Sequence, residues 1–260
     1  MKFLLSVLIF ICVHASAYIP PTRMILDKVS DNSGKSGYEI VKEVRINSSV
    51  PITFREVWQI ENERTLKVSV TPVDSPSASL HILYVGGQKI VLTEKGRETT
   101  KMPAELTERI FHFRTMENLA AYLSNLQILT HSTGHLDLAR LNRAQGVVNY
   151  GLGKKSDSES SSIHPYLWIE QDRFVIRKLR YESGVELTAD QFVVHPKGLT
   201  HPEVMNLTWN KKSARIKTLS VTAKKWTPQS FQPNSVQSSQ SFLQSSMTDP
   251  LVQEFYTRFR

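Results

Sequence analysis

From Tyr38 onward apolar residues recur at every second position, and a period of two is the mark of strands that have one face covered. Tyr38, Ile40, Val44 and Ile46 alternate with Glu39, Glu43 and Arg45. Ile52, Phe54, Trp58 and Ile60 alternate with Thr53, Arg55 and Gln59, and Leu66, Val68 and Val70 with Lys67, Ser69 and Thr71. Leu80 to Val85 and Gln88 to Thr93 flank Gly86-Gly87, the residue pair that a tight hairpin turn favours. The first half of the chain therefore predicts four or five antiparallel strands joined by short turns.

Helical spacing interrupts this pattern at two places. Thr22 to Val29 predicts a short amphipathic helix that stops at Asp31 to Gly37. Thr115 predicts an N-cap, with Leu119, Tyr122, Leu123 and Leu126 on one stripe of a helix running through Leu129. A second short helix is expected from Leu136 to Leu141, a strand from Gly146 to Gly151, and an exposed loop from Lys154 to Ser162. Strands resume at Tyr166–Glu170, Arg173–Glu182, Val185–His195, Glu203–Asn210 and Ala214–Lys224, giving nine or ten in all. The layout predicts an α+β fold, a strongly curved antiparallel sheet whose concave side is covered by helices.

The first seventeen residues carry Lys2, an apolar run from Phe3 to Val13, and Ala15-Ser16-Ala17, the pattern of a cleavable export signal. Cleavage after Ala17 would discard Cys12, the only cysteine, so an exported chain would have no disulfide or thiolate chemistry. Roughly 210 residues remain for one folded unit, residues 18–228. A Ser/Gln-rich flexible arm, 229–247, and a short helix, 248–260, are expected to follow; Asp249-Pro250 would cap that helix, with Leu251, Phe255 and Phe259 along one side. The formal net charge of +8 gathers on strand-like segments such as Arg173–Arg180 and Lys211–Lys225. A solvated sheet face and an attraction to acidic partners or anionic headgroups both fit this; nucleic acid does not, because export removes it and no base-reading motif is present. Asn47-Ser48-Ser49 and Asn206-Leu207-Thr208 match the glycosylation pattern.

Catalytic signatures are lacking. There is no Gly-x-Ser-x-Gly elbow and no phosphate loop. The histidines at 81, 112, 131, 135, 164, 195 and 201 are scattered; His131 and His135 are the close pair, but Ser132-Thr133-Gly134 between them reads as a turn. No enzyme, metal site or cofactor is expected.

Pro165-Tyr166-Leu167-Trp168-Ile169-Glu170, the basic strand Arg173–Arg180 that follows it, and the later stretch Trp226 to Pro233 resemble the periplasmic lipoprotein-carrier and lipoprotein-localisation superfamily, the LolA-like proteins. The resemblance covers about Thr22 to Pro233. It implies an unclosed β-barrel, lidded by helices, that shelters acyl chains of a lipoprotein in the periplasm. On that basis Phe54, Trp58, Ile60, Leu66 and Val68 are the expected cavity wall, Leu207 and Trp209 its other end, and Leu119, Tyr122, Leu123 and Leu126 the lid. Ordinary core packing produces the same pattern. The implied partner is an acylated lipoprotein or another lipid; the alternative is an inner- or outer-membrane or other envelope protein bound by a regulatory module of the same fold.

Overall fold

The computed structural model describes residues 19–48, 50–93, 96–129, 139–154, 163–235 and 249–260. The export signal, the His131/His135 pair and most of the Ser/Gln-rich arm fall outside the described residues.

Among the described residues thirteen antiparallel strands form one open sheet in the order β6-β5-β4-β3-β2-β1-β13-β12-β11-β10-β9-β8-β7. In chain order they are β1 (Gly37–Ile46), β2 (Ile52–Asn62), β3 (Thr65–Pro72), β4 (Leu80–Val85), β5 (Gln88–Thr93), β6 (Gly96–Lys101), β7 (Arg140–Ala144), β8 (Val147–Gly153), β9 (Tyr166–Glu170), β10 (Ile176–Arg180), β11 (Glu186–Val194), β12 (Thr200–Trp209) and β13 (Lys212–Lys224). Neighbours in the sheet are neighbours in sequence everywhere except at β1 and β13. These two pair from Gly37↔Lys224 to Ile46↔Ala214, with a bulge between Val41 and Lys42. An unclosed half-barrel results, as the alternation predicted.

Among the described residues three α-helices pack on the inward-facing residues: α1 (Thr22–Asp31), α2 (Met116–Asn125) and α3 (Pro250–Arg258). Ile25, Leu26 and Val29 of α1 and Leu119, Tyr122 and Leu123 of α2 join one continuous core with the strands. The end of α1 is fastened by Asn32, whose Nδ2 donates to the carbonyls of Arg173 and Phe174, each at 3.1 Å.

Local chemistry explains where the elements begin and end. Gly86 and Gly87 both have positive φ, as the tight β4–β5 turn requires. Thr115 Oγ1 accepts the Asn118 amide at 3.3 Å and starts α2. This helix ends at Asn125, four residues short of the expected Leu129, because Gln127 takes φ 58° and the chain turns back, with Ile128 N donating to the Leu123 carbonyl.

Two other expectations are corrected. Leu141 lies in β7, because its segment folds back as a hairpin on β8; of the short helix expected over 136–141, residues 136–138 lie outside the described residues. Gln229–Ser235, expected to begin a flexible arm, instead forms two 3-10 turns and buries Phe231 with Trp226 against Leu83 and Ile90 on the outer face of the sheet. The described residues form thirteen strands where nine or ten were expected; β6 and β7 are among the additional ones, because they carry hardly any apolar alternation.

Candidate ligand site on the concave face

Side chains of β2 point alternately in and out, so Phe54, Glu56, Trp58 and Ile60 all face inward and all are fully buried. Leu66 and Val68 of β3 continue this wall, and Tyr84 of β4 stacks on Trp58 with centroids 6.4 Å apart. Trp209, at the end of β12, lies three strands away from β2 in the sheet. The expected wall and the expected other end thus belong to one inner surface, and Leu207 joins the same core.

This surface is covered by α3. Tyr256 meets Phe54 edge-on at 5.2 Å, and Phe255 and Phe259 lie 6.1 and 5.1 Å from Trp209. Helix α3 therefore bridges the two ends of the expected wall. Val252, Phe255, Tyr256 and Phe259 fall on one side at helical spacing, which is why all four are buried together. Asp249 Oδ1 caps the helix start by accepting the amides of Leu251 at 2.7 Å and Val252 at 3.3 Å, with Pro250 at the first helical position. Lys89 Nζ closes its other end, donating to the main-chain oxygens of Tyr256 at 2.7 Å and Thr257 at 3.3 Å, and to that of Arg260. Burial, with Arg260 nearby, pushes Lys89 down to about 8. At the rim Lys212 pairs with Glu254 at 2.7 Å, and Arg258 pairs with Glu105.

Beneath the helix lies a buried ion pair. Arg260 Nε donates to Glu56 Oε1 at 2.9 Å and Oε2 at 3.1 Å, and its Nη1 donates to Thr107 Oγ1 at 3.0 Å. Trp58 Nε1 donates to the same carboxylate at 2.9 Å. The guanidinium stands 5.4 Å from the Trp58 ring and 4.8 Å from that of Phe255. Burial works against its charge, but Glu56 outweighs this and holds Arg260 above the ordinary arginine range.

The lid stripe sits apart from α3. Tyr122 stacks on Phe113 at 4.8 Å, and the Arg109 guanidinium lies 5.1 Å from the Tyr122 ring. Leu119 and Leu123 are fully buried, whereas Leu126 is the C-cap and half-buried. A small cleft of about 20 Å³ opens between α1 and the 3-10 turn Thr107–Phe111, lined by Val29, Phe111, Phe174 and Phe192 among others. That is below the roughly 300–1,000 Å³ of ordinary ligand pockets. The expected wall and lid residues are packed as core, in contact with the protein's own helices.

A second buried polar group was not expected. Glu108 of the 3-10 turn pairs through Oε2 with Lys42 of β1, and its Oε1 accepts from His112 Nε2 and His201 Nε2, each at 3.0 Å. Burial opposes the Glu108 charge, yet Lys42, then His201 and His112, hold the carboxyl well below its usual range. Burial pushes His201 down to about 4 and lowers His112 too, so both imidazoles are neutral N–H donors near pH 7. Donor atoms of Glu108, His112 and His201 lie within 4.8 Å of one another, close enough to hold a metal ion. Two imidazole N–H groups and one ammonium already occupy three of the carboxylate's about four lone-pair sites. The histidines that seemed scattered thus include a pair brought together by the fold, His201 lying 93 residues from Glu108.

The basic strand β10 is neutralised locally. Arg177 pairs with Glu170 and Asp190, while Lys178 and Arg180 both pair with Glu186. It offers little free charge to an acidic partner.

No protein-family profile and no curated protein matches the chain at the sequence level. Solved structures do resemble it. A LolA superfamily protein from Nitrosomonas europaea aligns with TM-score 0.56 and 11% identity over 84% of this chain and 100% of its own. An outer membrane lipoprotein-sorting protein domain from Vibrio parahaemolyticus aligns with TM-score 0.53 and 11% identity over 82% and 97%. A protein from Desulfovibrio piger, of a family of unknown function, aligns with TM-score 0.53 and 10% identity over 84% and 99%. The fold is LolA-like.

Proposed function

We propose that this LolA-like half-barrel is a periplasmic binding protein that takes the acyl chains of a lipoprotein, or another lipid, onto its concave face as part of outer membrane lipoprotein sorting. The observation that carries this reading is the cover over the aromatic wall. Phe54, Trp58 and Trp209 are covered by α3, a separate amphipathic segment. A segment that packs through side chains on one stripe can be exchanged for a ligand of similar apolar area, each buried CH₂ contributing about 0.8 kcal/mol. Binding is then a reversible swap of protein contacts for ligand contacts, with no covalent step. The likeness of fold to a lipoprotein-sorting domain supports the same reading, and the export pattern ending at Ala17 supports the periplasm. The direct test incubates the chain from Tyr18 to Arg260 with envelope extracts and analyses what co-purifies by mass spectrometry. Lipid or acylated protein is expected; recovery of neither, by the wild type and by a Phe255→Ala/Phe259→Ala variant, refutes it.

One observation favours a second reading, in which the concave face receives a segment of another envelope protein: the occupant it now holds is a helix. A photo-crosslinker at position 255 separates the two. Capture of one protein that persists when the wall is blocked favours interaction over carriage.

A further inference from the structure

A purely apolar ligand would be a poor substitute for α3. If the helix left its seat, Glu56 would remain on the inner face of β2 with one hydrogen bond, from Trp58 Nε1. Lys42, opposite Glu56 on β1, has its ammonium already engaged by Glu108, and Lys89 stands on β5, three strands from β2. A buried carboxylate stripped of its partner is strongly destabilising, enough to cancel much of what a single alkyl chain contributes. The seat therefore asks for a positive charge together with apolar bulk. Its aromatic groups suit that charge: the Trp58 face already carries a guanidinium at 5.4 Å. Tyr84 supplies an independent sign. Its ring stacks on Trp58, and its fully buried hydroxyl has no hydrogen-bond partner among the described residues.

We propose that the seat beneath α3 is a site for an amphiphile that carries a cationic group on its apolar chain, with Glu56 receiving the cation and Arg260 standing in for it at rest. The proposal rests on the reading of the concave face as an apolar ligand site, and it names the ligand class: an alkyl chain joined to an ammonium group. The aromatic residues of α3 stand in for the chain, and the Arg260 guanidinium stands in for the head. Exchange conserves the ion pair at Glu56, while Lys89 gives up the main-chain oxygens of Tyr256, Thr257 and Arg260.

Two single-chain probes test it, dodecylammonium and dodecanoate, with the chain from Tyr18 to Arg260. In Arg260→Gln, which vacates the cation position, dodecylammonium is expected to bind at least about tenfold more tightly than dodecanoate. In Glu56→Gln/Arg260→Gln, where both charges are gone, that preference is expected to shrink to about twofold or less. Equal affinities in Arg260→Gln would overturn the cation site while leaving apolar binding intact. Binding of neither probe to any variant that keeps its circular dichroism would remove the cation site and the acyl reading together. A measurement on the wild type needs no variant to fold: dodecylammonium is expected to abolish hydrogen-exchange protection at Leu251 to Phe259, and dodecanoate to leave it. Equal loss with both probes overturns the proposal, as does displacement of α3 by a Val252–Arg260 peptide and by neither amphiphile. Competition by a dodecylated peptide with a free α-amine, set against competition by phosphatidylethanolamine vesicles, assigns the cation to a protein cargo or to a lipid headgroup; either result upholds the site.

Discussion

Lys42 and Glu56 occupy positions that the period-two pattern reserves for apolar side chains. Each sits on the same parity as its apolar neighbours, Lys42 between Ile40 and Val44 and Glu56 between Phe54 and Trp58. The misplacement is visible in the sequence. Their partners are not, because Glu108, His201 and Arg260 arrive from distant segments through tertiary packing. Thus the burial of the apolar residues was legible from spacing alone, but the charges that give the interior its chemistry were legible only as exceptions. Lys42→Met is expected to destabilise by about 3–5 kcal/mol, because it strands Glu108. A Lys42→Met/Glu108→Leu double variant is expected to recover most of that loss, which urea denaturation of the four-member cycle would measure. The pH response follows from His201, whose folded value of about 4 lies below the roughly 6.5 of an unfolded histidine. The unfolded chain takes up its proton first as pH falls. The His201 contribution is therefore fully present above about pH 6.5 and lost between there and about pH 4, amounting to about 3 kcal/mol. Denaturation midpoints at pH 7.0 and 4.5 would check the sign; an unchanged or higher midpoint at 4.5 would count against a neutral, buried His201.

Helix α3 shows what element-level signals can and cannot give. Asp249-Pro250 and the spacing of Phe255 and Phe259 announced the helix and its stripe, and the structure adds Val252 and Tyr256 to the buried side. Its destination could not be read from spacing, since an apolar stripe fits any apolar surface. Asp249→Ala is expected to cost about 1 kcal/mol and to show as faster amide exchange at Leu251 and Val252. Phe255→Ala removes a fully buried ring and is expected to cost about 3–5 kcal/mol, with a larger gain in ligand access than any change on β10. The edge strands β6 and β7 escaped notice for the opposite reason. Side chains exposed on both faces leave no alternation to detect.

At the scale of the molecule, β1 and β13 splice the early and late strands into one sheet. Val44 and Ile216 face each other across this splice, both buried, and Ile216→Ala is expected to cost about 2–5 kcal/mol. Refolding should be slow, milliseconds to seconds or longer, because pairing Gly37 with Lys224 must close nearly the whole chain before the contacts repay it. Stopped-flow fluorescence would read this, and a microsecond phase carrying the full amplitude would contradict it. The splice also decides where the barrel stays open. Among the described residues its two margins are β6 and β7, consecutive strands in the chain, and the described stretch that follows β6 is residues 102–129. That stretch carries Glu108, His112 and α2. It is tethered through Glu108 to Lys42 on β1, so the segment leaving one margin is anchored to the middle of the barrel wall.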